Sequence, residues 1–172
     1  MMKEQIVLSL LRSHLAYFIH RVFSEVNPEA TFLSNWHIKA MAWVLTLSLR
    51  REITRLIITL PPRNLKSIST SVAFPAWALG HDPTLRFIGI SYAETLANKL
   101  SEDTRRVMAS PWYRECFPGT RIAKATQSIT TTDKQGGRFA TTVGGSMTGL
   151  GGDFLIIDDI HKADDVYSTA KR

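Results

Sequence analysis

Apolar residues recur at helical spacing through Ile6, Leu10, Leu11, Leu15, Phe18, Ile19, Val22 and Phe23, so the pattern predicts one amphipathic helix from about Glu4 to Val26, ending before Asn27-Pro28. Its apolar face serves either core packing or a partner helix. A second helix is predicted from Trp36 to about Arg50. The period then changes: the apolar run Leu56-Ile57-Ile58-Thr59-Leu60 predicts a strand, and a turn through Pro61-Pro62 leads into a helix from Ser67 to about Leu79, broken or bent at Pro75. After the turn at Gly80-His81-Asp82-Pro83, Arg86 to Ser91 predicts a strand and Glu94 to Met108 a helix of mixed charge stopped by Ser110-Pro111. Ser128 to Thr132 and Arg138 to Val143 are rich in β formers on either side of Gly136-Gly137, the pattern of a hairpin. Finally, the uninterrupted apolar run Phe154-Leu155-Ile156-Ile157 predicts a strand buried on both faces, as in parallel sheets covered by helices. The expected class is α/β, a mainly parallel sheet flanked by helices. An N-terminal helical segment over 1–34 precedes a domain over 35–172.

Two stretches carry candidate chemistry. Pro61-Pro62-Arg63-Asn64-Leu65-Lys66-Ser67 lies between a predicted strand and a predicted helix, where backbone N–H groups and the positive helix end converge on one spot suited to an anion. Lys66 would reach the β- and γ-phosphates of a nucleotide and the Ser67 hydroxyl would ligate Mg²⁺. Against the pattern G-x-x-x-x-G-K-[ST], Leu60 and Leu65 stand at the two glycine positions. A leucine at the second costs about 1 kcal/mol or more if the backbone there is left-handed. The alternative is a surface turn with an exposed lysine. The second stretch is Asp158-Asp159, two carboxylates at the end of the last apolar run. In an open α/β sheet, ligands sit beyond the carboxyl ends of the strands, so Lys66, Ser67, Asp158 and Asp159 are expected to converge there. One carboxylate would hold Mg²⁺ and its neighbour would position or deprotonate water. A turn or helix cap is the plain alternative for the pair.

Taken in order, Asn35-Trp36-His37, the run from Arg55 through Lys66-Ser67, Phe74-Pro75-Ala76-Trp77, Leu79 to Pro83, Ser91-Tyr92, Gly144-Gly145, Thr148-Gly149, Gly151-Gly152-Asp153 and Ile156-Ile157-Asp158-Asp159 resemble the large terminase subunit of tailed phages and prophages. The resemblance runs from about Asn35 to Arg172. It implies a P-loop NTPase fold of the ASCE type and an ATPase that drives DNA packaging, with ATP and Mg²⁺ as cofactors. By position, it implies nucleotide binding through Pro62, Arg63, Asn64, Leu65, Lys66 and Ser67, and Trp36 and His37 beside the adenine. Mg²⁺ coordination falls to Ser67 and Asp158. Asp159 becomes the catalytic carboxylate, often glutamate in relatives, and Arg63 the arginine that contacts or senses the phosphates. Implied partners are double-stranded DNA, the small subunit and portal, and further copies in a ring, in the cytoplasm of a bacterial host.

Departures accompany the resemblance. Leu65 replaces a common glycine, and Leu150 stands where relatives carry an arginine that acts like an arginine finger; Arg138 is a candidate substitute. With 172 residues, the chain extends only 13 beyond Asp159 (172 − 159), short of any nuclease carboxylates or of the strand that ASCE sheets place between the two motif strands. Leu56 to Leu60 and Phe154 to Ile157 are therefore expected to face a gap, and the chain to be an N-terminal fragment or truncated prophage copy, either an ATPase core or an inactive remnant that keeps a DNA- or partner-binding surface.

Composition adds little. The net charge of +6, with 21 basic against 15 acidic residues, suits a polyanion partner or merely a basic surface. Arg50, Arg51, Arg55, Arg105, Arg106, Arg114, Arg121 and Lys124 are the basic residues available for phosphate contacts that read no sequence. Cys116 is the one cysteine, which excludes a disulfide framework within the chain, and no run approaches the ~20 apolar residues of a membrane span. The glycine-rich stretch from Gly144 to Gly152 is either a close approach to ligand or a flexible connection. His81 is expected to be hydrogen-bonded structurally, and His161 and Lys162 to lie in a loop after the carboxylates.

Overall fold

The computed structural model describes residues 2–145, 149 and 151–159. Helices α1 (Met2–Ser13) and α2 (Leu15–Val26) replace the single N-terminal helix expected, with a bend of 107° between them. His14 at the joint is extended, at φ −132° and ψ 107°. The last carbonyls of α1 show why the break is stable. Trp77 Nε1–H donates to the Leu11 and Arg12 oxygens at 3.2 and 3.1 Å, and His81 Nε2 lies 2.9 Å from the Arg12 oxygen. A carbonyl only accepts, so that His81 nitrogen carries its hydrogen. Tertiary donors thus satisfy carbonyls that a helix end leaves open. The bend turns α2 inward: Leu15, Phe18, Ile19, Val22 and Phe23 are buried, against Leu11 alone on α1.

Helix α3 (Trp36–Leu49) forms where expected, with the Asn35 side chain accepting from the Trp36 N–H at 2.7 Å. The run from Leu56 to Leu60, expected as a strand, is irregular and pairs with no strand among the described residues; Ile57 is 89% exposed. The five strands of the sheet are β1 (Arg86–Ser91), β2 (Ile122–Ala125), β3 (Ile129–Thr132), β4 (Gly137–Thr142) and β5 (Phe154–Ile157), in the order β2-β3-β4-β1-β5. Among the described residues, strand β5 is an edge that pairs with β1 alone, and 56–60 does not add to its open side.

Strands β4, β1 and β5 are parallel, while β3 pairs antiparallel with both β2 and β4, giving a mixed sheet. The β3–β4 hairpin is the one expected around Gly136-Gly137. Strand β1 is buried at every position after Arg86. Strand β5 is not: Phe154 and Ile156 pack on the core, but Leu155 and Ile157 are 56% and 55% exposed. The expectation of burial on both faces fails because an edge strand with a neighbour on one side meets a helix layer on one face only.

The helix after the phosphate-loop candidate changes pitch. Ile68–Ala73 is π-helical, and α4 (Phe74–His81) follows directly. Pro75 accounts for the change. It has no N–H to give the Ser71 carbonyl, and the chain adjusts to the wider i→i+5 pitch, Phe74 N–H donating to the Ser69 oxygen. Helix α5 (Glu94–Ala109) covers β1 and β4, and α6 (Pro111–Cys116), not expected from the sequence, starts on Ser110, whose Oγ accepts from Tyr113 N–H at 3.4 Å. One core joins α2, α3, the π-helix, α4, β1, α5 and α6 around Phe18, Val72, Leu79, Phe87, Val107 and Tyr113. Among the described residues no single helix is long and apolar enough to cross a membrane.

Candidate functional site

The loop before the π-helix is built from its own side chains. Asn64 Nδ2 donates to the Pro61 and Pro62 oxygens at 3.1 and 3.2 Å, drawing the turn closed. Arg63 and Leu65 take φ values of 64° and 57°, the left-handed region. Leu65 therefore occupies the conformation that a glycine at this position would hold without strain, at a cost of about 1 kcal/mol. Its carbonyl opens the helix by accepting from Ser69 N–H at 2.9 Å. The N–H groups just beyond it lie in the first turn, where no intrahelical acceptor exists.

Across the sheet, the ladder continues past β5. Asp158 N–H donates to the Ile90 oxygen at 2.9 Å, and the Asp159 oxygen accepts from Tyr92 N–H at 3.0 Å. Asp158 points inward, 6% exposed, and Ser71 Oγ donates to its Oδ2 at 3.2 Å. Asp159, at φ 53°, is exposed.

A cavity of about 480 Å³ lies between β5 and the irregular segment 53–58. Lys66, Thr70, Asp158 and Asp159 all line it, with Leu155 and Ile157 on its apolar wall. Lys66 and both carboxylates thus border one cavity, which runs along the open edge of β5 rather than lying only beyond its carboxyl end. Pro62, Arg63, Asn64, Leu65 and Ser67 belong to the adjoining loop and do not line this cavity, nor do Trp36 and His37. Trp36 is 75% exposed and packs edge-on against His37, with 6.3 Å between ring centres. Leu150, His161 and Lys162 lie outside the described residues.

The sequence missed one participant and assigned another a role its burial does not allow. Ser71, which fixes Asp158, carries no motif signal. Arg138, a candidate for an exposed catalytic arginine, is 2% exposed and buried inside the sheet, so it is not available to a neighbouring subunit. Arg51 is likewise committed: Nη1 and Nη2 donate to the Asp153 main-chain oxygen at 2.9 Å and Oδ1 at 3.2 Å, and its guanidinium lies 4.5 Å from the Phe154 ring centre.

Among the described residues, no three His, Cys, Asp or Glu side chains are grouped to hold a metal. A metal carried by a nucleotide needs less, since phosphate oxygens and water supply most of its ligands. Asp158 is a hard oxygen donor already oriented by Ser71, whereas Ser67 does not line the cavity that holds it.

The fold and site define an α/β chain with a mixed five-stranded sheet and a cavity along its β5 edge lined by one lysine and two aspartates among other residues. No protein-family model and no curated protein matches it.

Proposed function

We propose that the chain is the nucleotide-binding core of a DNA-packaging ATPase of the large-terminase type, with a P-loop arrangement at its centre. The observation that carries this reading is the common cavity of Lys66, Asp158 and Asp159, contributed by segments far apart in sequence. Bound there, Mg²⁺·ATP would supply an electrophilic γ-phosphorus with its charge partly neutralised. Lys66 holds the phosphate oxygens, and the first-turn N–H groups after Leu65 add hydrogen bonds that fix their direction. Asp158 and Ser67 are the protein's oxygen donors toward the metal. Asp159 orients a water and accepts its proton, although as an aspartate it reaches one methylene less far than a glutamate would. Arg63, exposed at the turn, is placed to contact phosphate. In an assembled ring, hydrolysis would drive movement of duplex DNA held by surface arginines and lysines through backbone phosphates.

A second reading, a remnant that binds DNA or a packaging partner without turnover, is favoured by the strained Leu65 and by the absence of Arg63 and Ser67 from the cavity wall. Titration of the purified chain with a fluorescent ATP analogue decides between them. The motor reading requires saturable binding that Lys66→Ala weakens at least tenfold; equal titrations for both proteins leave the remnant.

A further inference from the structure

Arg138 is the largest fully buried side chain among the described residues, and neither the phosphate loop nor the carboxylate pair accounts for it. It stands on β4 opposite Phe87 of β1, and its side chain runs beneath β1 at Gly89 to the π-helix. Gly89 makes the passage: a Cβ there would sit 2.9 Å from Arg138 Nη2. At the far end, Arg138 Nε–H donates to the Ser71 carbonyl at 3.2 Å. That is the carbonyl whose i→i+4 partner would be Pro75, which has no N–H. The same residue's hydroxyl bonds Asp158 Oδ2. Ser71 is therefore gripped by Arg138 through its main chain and grips Asp158 through its side chain.

We propose that Arg138 is a positioning residue for Asp158, acting through Ser71 to fix the carboxylate in the cavity wall and setting a buried positive charge behind it; in the nucleotide-binding reading, on which this role in metal binding rests, it tunes the affinity of the site for the nucleotide's divalent cation. Burial lowers the guanidinium's pKa from its ordinary value to about 10, while the Asp103 and Asp158 carboxylates oppose the drop, so Arg138 is charged at neutral pH. Nη1 has no hydrogen-bond partner among the described residues. A buried cation with an unmet N–H is a poor way to hold a core together, because an apolar residue of similar volume is often as good or better. Its placement is explained by what it does to Asp158.

Three variants of the full chain test this. Arg138→Gln removes the charge, Arg138→Lys keeps a charge without the Nε contact, and Gly89→Ala leaves the arginine intact but displaces its tip. Affinity for the fluorescent ATP analogue is measured with EDTA and with MgCl₂, and Mn²⁺ binding in the nucleotide's presence by electron paramagnetic resonance. The expected result is Mn²⁺ affinity lowered at least tenfold by Arg138→Gln and Gly89→Ala and less by Arg138→Lys, with EDTA affinities within twofold of wild type. Folded variants with unchanged Mn²⁺ affinity overturn the proposal. A double-mutant cycle of Arg138→Gln with Asp158→Asn, read in the unfolding equilibrium, needs no nucleotide. Coupling of at least tenfold supports the positioning role even if the wild-type chain binds no ATP, in which case the nucleotide reading alone fails; additive effects there sink the positioning role itself.

Discussion

Ser71 Oγ donates to Asp158 Oδ2 at 3.2 Å, joining two residues 87 positions apart in sequence. The bond ties the π-helix to the end of β5, and it is buried. Ser71→Ala leaves a buried carboxylate oxygen short of a donor. The expected cost is about 1.5–3 kcal/mol of unfolding free energy, as for a hydrogen bond to a charged group. Urea titrations of the two proteins, compared at unchanged slope, measure it; a loss below roughly 0.5 kcal/mol would mean that Asp158 finds another donor.

Leu65 offers a test in which the sign is informative. At an ordinary helical or extended position, replacing alanine by glycine lowers stability by about 0.4–1 kcal/mol, because glycine has more freedom to lose. At φ 57° the order reverses, since only the Cβ-bearing residue is strained. Leu65 also packs partly against the core, and both substitutions remove the side chain beyond Cβ that makes most of that contact. Leu65→Gly should therefore be more stable than Leu65→Ala by about 0.5–1 kcal/mol. Thermal unfolding of the pair measures this directly, and a more stable alanine variant would show that the loop relaxes out of the left-handed conformation.

Local periodicity made helix α3, helix α5 and the β3–β4 hairpin legible in the sequence, because each satisfies its backbone from within or from its nearest neighbour in the chain; strand β1, whose partners β4 and β5 are distant, was legible from its apolar composition and the turn before it. The features that failed depend on distant partners. The bend at His14 rests on Trp77 and His81, and an unbroken apolar stripe gives no hint of donors arriving from another helix. The run from Leu56 to Leu60 has the composition of a strand, but a strand exists only beside another, and this run joins no strand of the sheet among the described residues. Within the candidate site, Lys66, Asp158 and Asp159 were legible because their chemistry is concentrated at motif positions. Ser71 and Arg138 were not, since their importance arises from the joint placement of Pro75, Gly89 and Asp158.

Tyr113 links stability to alkaline pH. Its hydroxyl donates to the Ala76 oxygen at 2.7 Å and burial raises its pKa far above the usual 10. In the unfolded chain the phenol ionises near pH 10, while in the folded chain it stays protonated. Above pH 10 the unfolded state thus binds fewer protons than the folded one, and stability falls as pH rises. Tyr113→Phe removes the hydrogen bond, at about 1 kcal/mol near pH 7, together with this pH dependence. The two unfolding curves should converge above pH 10, and phenolate absorbance in the wild type should show one tyrosine ionising only as the chain unfolds. Parallel curves across that range contradict the assignment.

Arg51 fixes where β5 begins. Its guanidinium reaches both the main chain and the side chain of Asp153 and stacks on Phe154, while Asp153 Oδ2 accepts from Arg86 N–H at 2.9 Å, so the first residues of β1 and β5 are held together. Both side chains of the ion pair are about half exposed, at 52% and 40%, and the charge attraction by itself therefore contributes little. The planar fork and the stacking supply most of the effect, and lysine reproduces neither. Arg51→Ala and Arg51→Lys should both cost about 1 kcal/mol. In 0.5 M NaCl the loss should persist, because screening acts on the exposed charges and much less on the stacked contact. A lysine variant as stable as wild type at low salt, and destabilised in parallel with it as salt is added, would assign the contact to simple charge pairing instead.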